Sequence, residues 1–263
     1  MSYQFCAHTD PGLVRGNNED SVTFDAALGL AVLADGMGGY NAGEVASAMA
    51  TSFIRSELGR WLAEAGARAS GRDVQRAMEI CVDNSNRAIL DAARANPQYA
   101  GMGTTLVAAV LQQDRLVVGH IGDSRCYRLR GGELTQLTRD HSLLQEQLDA
   151  GLLTAEEAAV CLHKNLVTRA LGVEDAVLLD VAEHRTQPAD LYLLCSDGLP
   201  DMLGDDAIAA ILCSDESLPV LATRLVAGAN AGGGRDNISV VLVRRSSGGN
   251  GARLGRVSRW LGI

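Results

Sequence analysis

Three stretches of this chain share one pattern, in which an apolar run long enough for a strand closes on an aspartate beside a glycine. They read LGLAVLADGMGG at 28–39, RLVVGHIGDSR at 115–125 and LYLLCSDGL at 191–199, and a fourth run, ISVVLVR at 238–244, follows the acid of GGGRDN. Short runs rich in Val, Leu and Ile are expected as buried strands. Directly after Asp123, the segment SRCYRLRGGELTQLTRD holds two alternating stretches around Gly131 and Gly132. A Gly-Gly connection favours the positive-φ turn of a tight hairpin, so these two strands are antiparallel neighbours. That argues against a doubly wound parallel sheet.

Helical periodicity fills the space between the acidic strands. From Ala42 to Ala65 the residues Val45, Met49, Phe53, Leu58, Trp61 and Leu62 recur at helical spacing, and Val74, Met78, Cys81, Val82, Ile89 and Ala92 do so from Asp73 to Arg94, with Pro97 ending the run. A further pair spans 142–162, with Thr154 as N-cap and Glu157 completing a capping box, and a last helix runs from about Ser217 to Ala229. Strands with pairwise helices and an antiparallel hairpin give a layered α+β architecture.

With 263 residues and 47% hydrophobic content, one domain with one large core is expected. Residues 1–243 form that domain, and 244–263 (RRSSGGNGARLGRVSRWLGI) read as an Arg/Gly/Ser-rich tail. The net charge is −9 although the tail holds five arginines and no acid, so the rest is more acidic still. Such a body repels nucleic acid, and it repels a phosphorylated substrate too unless cations neutralise part of it. Six cysteines without a CxxC pair read as small buried residues in a reducing compartment. The N-terminus has no signal-like pattern and no apolar run reaches the roughly 18 residues that span a bilayer, so a cytoplasmic location without a membrane span is expected.

Seven acids stand out by context: Glu19 and Asp20 in RGNNEDS, Asp35 in ADGMGG, Asp123 in IGDSR, Asp197 and Asp201 in SDGLPD, and Asp236 in GRDNIS. A single Asp-Gly is most often turn chemistry. Four strand-associated acids meeting at one sheet edge would repel one another unless cations balance them. Oxygen-only donors favour Mg²⁺ or Mn²⁺ over Zn²⁺, and no histidine pair has HxxH or HExxH spacing. Arg15, five residues before Asp20, offers a forked guanidinium suited to two phosphoryl oxygens.

The ordered series GLVRGNNED, ADGMGG, GTTL, GDSR, SDGLPD and RDNISV resembles the metal-dependent (type 2C) protein phosphatase family in its bacterial form, over residues 8–243. The resemblance implies a four-layer α-β-β-α sandwich, with two central antiparallel sheets flanked by pairs of helices. It implies that Asp35 bridges two Mn²⁺ or Mg²⁺ ions, that the Gly36 carbonyl, Asp197 and Asp236 complete one shell, and that Glu19 acts on the second ion. Asp20 would hold metal-associated water and Arg15 the substrate phosphate. Asp123, with Asp197 and Asp201, matches a weaker third site, and Asn237 supports the ligands from behind. The implied reaction is in-line attack on phosphoserine or phosphothreonine by hydroxide bridging two ions. Phosphorylated proteins and a cognate Ser/Thr kinase are the implied partners, and a monomer is expected.

Two departures from the family pattern matter. Met37 stands where eukaryotic members carry a histidine, which leaves water at the metals, rather than His8 or His141, as the expected acid for the leaving alkoxide. Residues 142–172 resemble the bacterial flap, yet Cys161 and Leu162 replace its His-Pro, with His163 displaced. The alternatives are a phosphatase of small phosphate esters and a catalytically silent, phosphoprotein-binding module. No GxxxxGK[ST] motif supports nucleotide binding.

Overall fold

The structure is a computed structural model and describes residues 3–38, 42–154, 157–158 and 166–246. In chain order the strands are β1 (Tyr3–Asp10), β2 (Asp20–Asp25), β3 (Leu30–Met37), β4 (Gly103–Thr104), β5 (Leu106–Gln112), β6 (Arg115–Ile121), β7 (Arg125–Arg130), β8 (Glu133–Gln136), β9 (Asp180–Arg185), β10 (Leu191–Cys195) and β11 (Ile238–Arg245). The α-helices are α1 (Ala42–Ala65) and α2 (Gly71–Ala95) after β3, α3 (Leu143–Asp149) after β8, and α4 (Asp205–Leu212) and α5 (Leu218–Ala231) between β10 and β11.

One sheet runs β1-β11-β10-β7-β8 and the other β2-β3-β5-β6-β9, with β4 attached to β3. Every pairing is antiparallel. The Gly131-Gly132 turn works as expected: φ is +58° and +88°, a region open to glycine, and Arg130 faces Glu133 across the hairpin.

Alternation along the central strands builds the four layers. Leu30, Val32 and Ala34 of β3 pack with Ile54 and Leu58 of α1 and Val74 and Met78 of α2. Their neighbours Ala31 and Leu33 turn the other way and meet Tyr192, Leu194, Val241 and Val243 of the facing sheet. On β10 and β11, Leu193, Cys195, Val240 and Leu242 instead pack on Leu221, Leu225 and Ile208 of α5 and α4. A strand covered on both faces needs apolar residues at every position, which is why these runs are continuous. The expected α-β-β-α sandwich is the observed fold.

Helix α2 starts at a capping box: Ser70 Oγ accepts from Asp73 N, and Asp73 Oδ2 accepts from Ser70 N at 2.8 Å. Thr154 and Glu157 form the predicted box as well, with Thr154 N donating to Glu157 Oε2 at 2.8 Å and Glu157 N to Thr154 Oγ1 at 3.2 Å. Differences from expectation are local. Helix α4 has no counterpart in the sequence reading, since its eight residues carry no side-chain cap at Gly204. Arg244 and Arg245, grouped with the tail, lie inside β11, where buried Arg245 donates from Nη1 to Thr186 Oγ1 at 2.6 Å. The rest of the tail from residue 247, and Cys161, Leu162 and His163 of the flap, lie outside the described residues.

Candidate metal centre

Both sheets deliver acids to one end of the sandwich. From the β2/β3 sheet, Asp35 lies within β3 opposite Asp20 at the start of β2, and Asp123 follows β6 by two residues. From the facing sheet, Asp197 follows β10 by two residues and Asp236 precedes β11 by two. Asp35 thus sits inside its strand, with its backbone fixed. Its N–H donates to Thr105 Oγ1 at 3.0 Å, and its carbonyl accepts from Thr105 N at 2.9 Å and Thr104 Oγ1 at 2.8 Å.

Glycines let these backbones converge. A Cβ on Gly36 would stand 2.2 Å from the Gly43 carbonyl oxygen in the first turn of α1, and one on Gly198 would stand 2.0 Å from that of Asn237. Buried Asn237 ties the segments together: its Oδ1 accepts from Glu19 N at 2.8 Å, and its Nδ2 donates to the carbonyls of Asn17 at 2.8 Å and Pro11 at 3.0 Å. Ser196, also buried, donates from Oγ to Asp20 Oδ2 at 2.7 Å and accepts from Ser239 N at 3.0 Å.

Glu19, Asp35, Gly36, Asp123, Asp197, Asp236, Asn237 and Arg15 line a single cleft of about 420 Å³. Asn17, Met37, Thr105, Leu166 and Val167 line it too. Asp20 lies beneath this surface, and exposed Asp201 stands outside it, although its charge acts on Asp123 and Asp197. Sequence reading assigned no role to Asn17, Thr105 or Ser196. Their only signal was adjacency, Asn17 in the GNNED stretch, Thr105 in GTTL and Ser196 beside Asp197.

The electrostatics are those of crowded acids. Burial, and then the charges of Asp20, Asp197, Asp123 and Asp236, push Asp35 well above the usual carboxylate range. Asp197 is raised in the same way, by burial first and then by Asp123, Asp201, Asp236 and Asp20. Burial lifts Asp20 to about 6 against the hydrogen bonds of Ser239 and Ser196, and lifts Asp123 to about 6 with help from Asp140. Against five lining carboxylates, Arg15 is the one cation among the described lining residues, and its Nη2 lies 2.6 Å from Asp236 Oδ2.

This donor set fits divalent cations. Every lining acid offers oxygen, the mutual repulsion is relieved by positive charge, and buried Asp20 Oδ1 has no hydrogen-bond partner among the described residues. A second group, His120, His141 and Asp180, brings its ligand-type atoms within 4.8 Å of one another. Its geometry speaks for hydrogen bonding instead. The two imidazoles stack 4.7 Å apart at 16°, so no single ion can lie in both ring planes. His141 Nδ1 accepts from Gly122 N at 3.1 Å, which leaves the Nε2 proton for Asp180 Oδ2, also at 3.1 Å. With Thr168 N donating to its carbonyl at 2.9 Å, His141 ties the segment around Thr168 to the Gly122 turn. Neither His8 nor His141 lines the cleft.

Comparisons with known proteins place the chain among its relatives. A family model described as protein phosphatase 2C matches residues 9–225. The serine/threonine phosphatase stp of Listeria monocytogenes is 39% identical over 240 residues, covering 90% of this chain and 94% of that protein. The crystal structure of the Mycobacterium tuberculosis serine/threonine phosphatase PstP/Ppp superposes with a TM-score of 0.86 at 39% identity, covering 94% of this chain and 100% of that one. A structure of the PstP catalytic domain in complex with two manganese ions superposes with a TM-score of 0.79 at 40% identity, covering 92% and 98%. An antiparallel sandwich with its acids gathered at one end, matched along most of its length to these proteins, places the chain in the protein phosphatase 2C family.

Proposed function

We propose that this chain is a serine/threonine protein phosphatase that hydrolyses phosphoserine and phosphothreonine in proteins with the help of Mn²⁺ or Mg²⁺. The observation that carries the reading is the convergence of Glu19, Asp35, Asp123, Asp197 and Asp236 from two sheets on one cleft beside Arg15. Asp35, the Gly36 carbonyl, Asp197, Asp236 and Glu19 are the groups that would hold the two ions, with Asp35 central among them. Asp123 and Asp197 would hold a weaker third ion, with Asp201 adding its charge from outside the cleft. When bound, such ions act as Lewis acids that make hydroxide available near neutral pH and offset charge on the phosphoryl group.

The remaining tasks fall to the protein. Arg15 approaches Asp236 through Nη2, and the other donors of its fork serve two phosphoryl oxygens. Asp20, anchored by Ser196, orients water from below through Oδ1, the oxygen without a protein partner. Asn237 and Thr105 hold the strands that carry Glu19 and Asp35. Met37 has no proton to give, so the leaving alkoxide takes its proton from water in the cleft. Residues 142–172 serve as a flap, whose Leu166 and Val167 border the opening.

A cognate Ser/Thr kinase that supplies the phosphoproteins, a monomeric state and a cytoplasmic location complete the proposal. None of the described helices is long and apolar enough to cross a membrane. The test is phosphate release from a phosphothreonine peptide with and without Mn²⁺, repeated with Asp35→Asn. Turnover that needs Mn²⁺ and falls by about 10²- to 10³-fold in the variant is expected, the usual scale for losing one charge-stabilising group. Full turnover after exhaustive chelation contradicts the reading.

A further inference from the structure

The rim of the cleft differs in chemistry from its floor. Leu13 and Val14 are 69% and 68% exposed, Leu166 is 57% exposed and Val173 58%. Single exposed apolar residues are ordinary on a protein surface, but Leu166 lines the cleft and the other three lie close to its lining residues in the chain or in space. Leu13 and Val14 directly precede Arg15, which lines the cleft on one side, and Leu166 lines it from the flap. Val173 comes up to Gly103 beside Met37, another lining residue.

These side chains are presented on fixed backbone. Leu13 N donates to the Gly234 carbonyl at 2.7 Å, Val167 bridges to Ser142, and Leu171, two residues before Val173, exchanges hydrogen bonds of 3.0 and 2.8 Å with Thr104. A rim held in place loses little freedom when something covers it. The carboxylate floor and Arg15 have room for a phosphoryl group, so a phosphorylated chain that reaches them must lay its neighbouring residues across the rim. Acidic neighbours would meet the repulsion of the lining carboxylates.

We infer that Leu13 and Val14, together with Leu166 and Val173, form a substrate surface that selects phosphopeptides with large apolar side chains flanking the phosphorylated residue. This rests on the phosphatase reading above and names the class of substrate within it. The apolar flanks cover the rim while the phosphate enters the polar floor, and the preference shows mainly in KM.

The experiment compares phosphothreonine peptides that differ only in the two residues on either side of the phosphothreonine, Leu, Gly or Lys, in saturating Mn²⁺. Wild-type protein should favour the Leu-flanked over the Gly-flanked peptide by about tenfold in kcat/KM, the scale set by filling a modest apolar site. The double variant Leu13→Ser, Val14→Ser should lose most of that preference while it turns over the Gly-flanked peptide as wild type does, which also shows that it folds and binds metal. Equal kcat/KM on Leu- and Gly-flanked peptides, a preference for Lys flanks, or a Leu preference that survives the double variant overturns the inference and leaves the phosphatase reading intact. No turnover of any peptide or of an aryl phosphate overturns both.

Discussion

Asp20 and Asp35 face each other across β2 and β3, a pairing that like charges make unfavourable unless something positive intervenes. The candidate acids are legible in the sequence because aspartates beside glycines at the ends of apolar runs, as at Asp35, Asp123 and Asp197, are uncommon in such number, and Asp236 stands just before the last such run. Thr105 and Ser196 are not, because their roles lie in hydrogen bonds between segments far apart in the chain, and Asn17, whose Nδ2 donates to nearby Glu19 Oε1 at 3.0 Å, has no pattern of its own to set it apart. Asp201 was grouped with the ligands from SDGLPD, yet it stands at the surface and reaches the site through its charge. Arg15 provides the sharpest residue-scale prediction. Lysine keeps the charge but loses the fork, so Arg15→Lys should lower kcat/KM on a phosphopeptide by about 10- to 100-fold, since a hydrogen bond to a charged group contributes about 1.5–3 kcal/mol. The Mn²⁺ concentration for half-maximal activity should stay near that of wild type, and a titration of activity against Mn²⁺ checks it.

At the scale of elements, the first turn of α1 lies against the end of β3 because neither carries a side chain there. A Cβ on Gly36 would meet the Gly43 carbonyl at 2.2 Å, and one on Gly43 would meet Glu19 Oε2 at 2.5 Å. Gly36→Ala must therefore push the helix and strand apart, with a loss of stability of about 1–3 kcal/mol, typical of overpacking. Thermal melts should show that loss together with weaker Mn²⁺ binding, whereas Gly66→Ala, with nothing within 4 Å of its Cβ, should leave Mn²⁺ binding alone. Long elements were the easiest to read: α1 matches its predicted span of Ala42–Ala65, and α2 begins two residues before Asp73. The edge strands β1, β2 and β9 escaped notice because their residues are largely half-buried, without the continuous apolar run of β3 or β10. Central β5 (LVAAVLQ) also passed unmarked, since no acid or glycine punctuates its end.

For the molecule as a whole, two sheets that need each other's apolar faces also each bring acids to the same end, so folding builds a site that repels itself. The sign of the pH dependence follows. Asp20 and Asp123 titrate near 3.8 in an unfolded chain and near 6 in the folded one. Their contribution to stability is complete below 3.8 and is lost as pH rises through about 6. Asp180 and Asp190, shifted downward by His141 and Arg130 against the effect of burial, change their contributions below 3.8. His141 and His184, lowered by burial, gain stability as pH rises toward 6.5 and partly offset the loss, whereas Asp35 and Asp197, raised further still, add to it and set the net direction. The Tm of metal-free protein should accordingly fall between pH 4.5 and 7.5, and excess Mn²⁺ should reverse the trend, because it binds the ionised acids of the folded state alone. A calorimetric series across that range, with and without Mn²⁺, measures both effects.

The central claim is that acids from distant parts of the chain hold a pair of divalent ions in the cleft. Anomalous diffraction at the manganese absorption edge, from crystals grown in Mn²⁺, tests it most directly. Two strong peaks in contact with Asp35, one of them shared with Asp197 and Asp236 and the other near Glu19, are the predicted result. A map with no peak there, or with manganese seated only between His141 and Asp180, would contradict it.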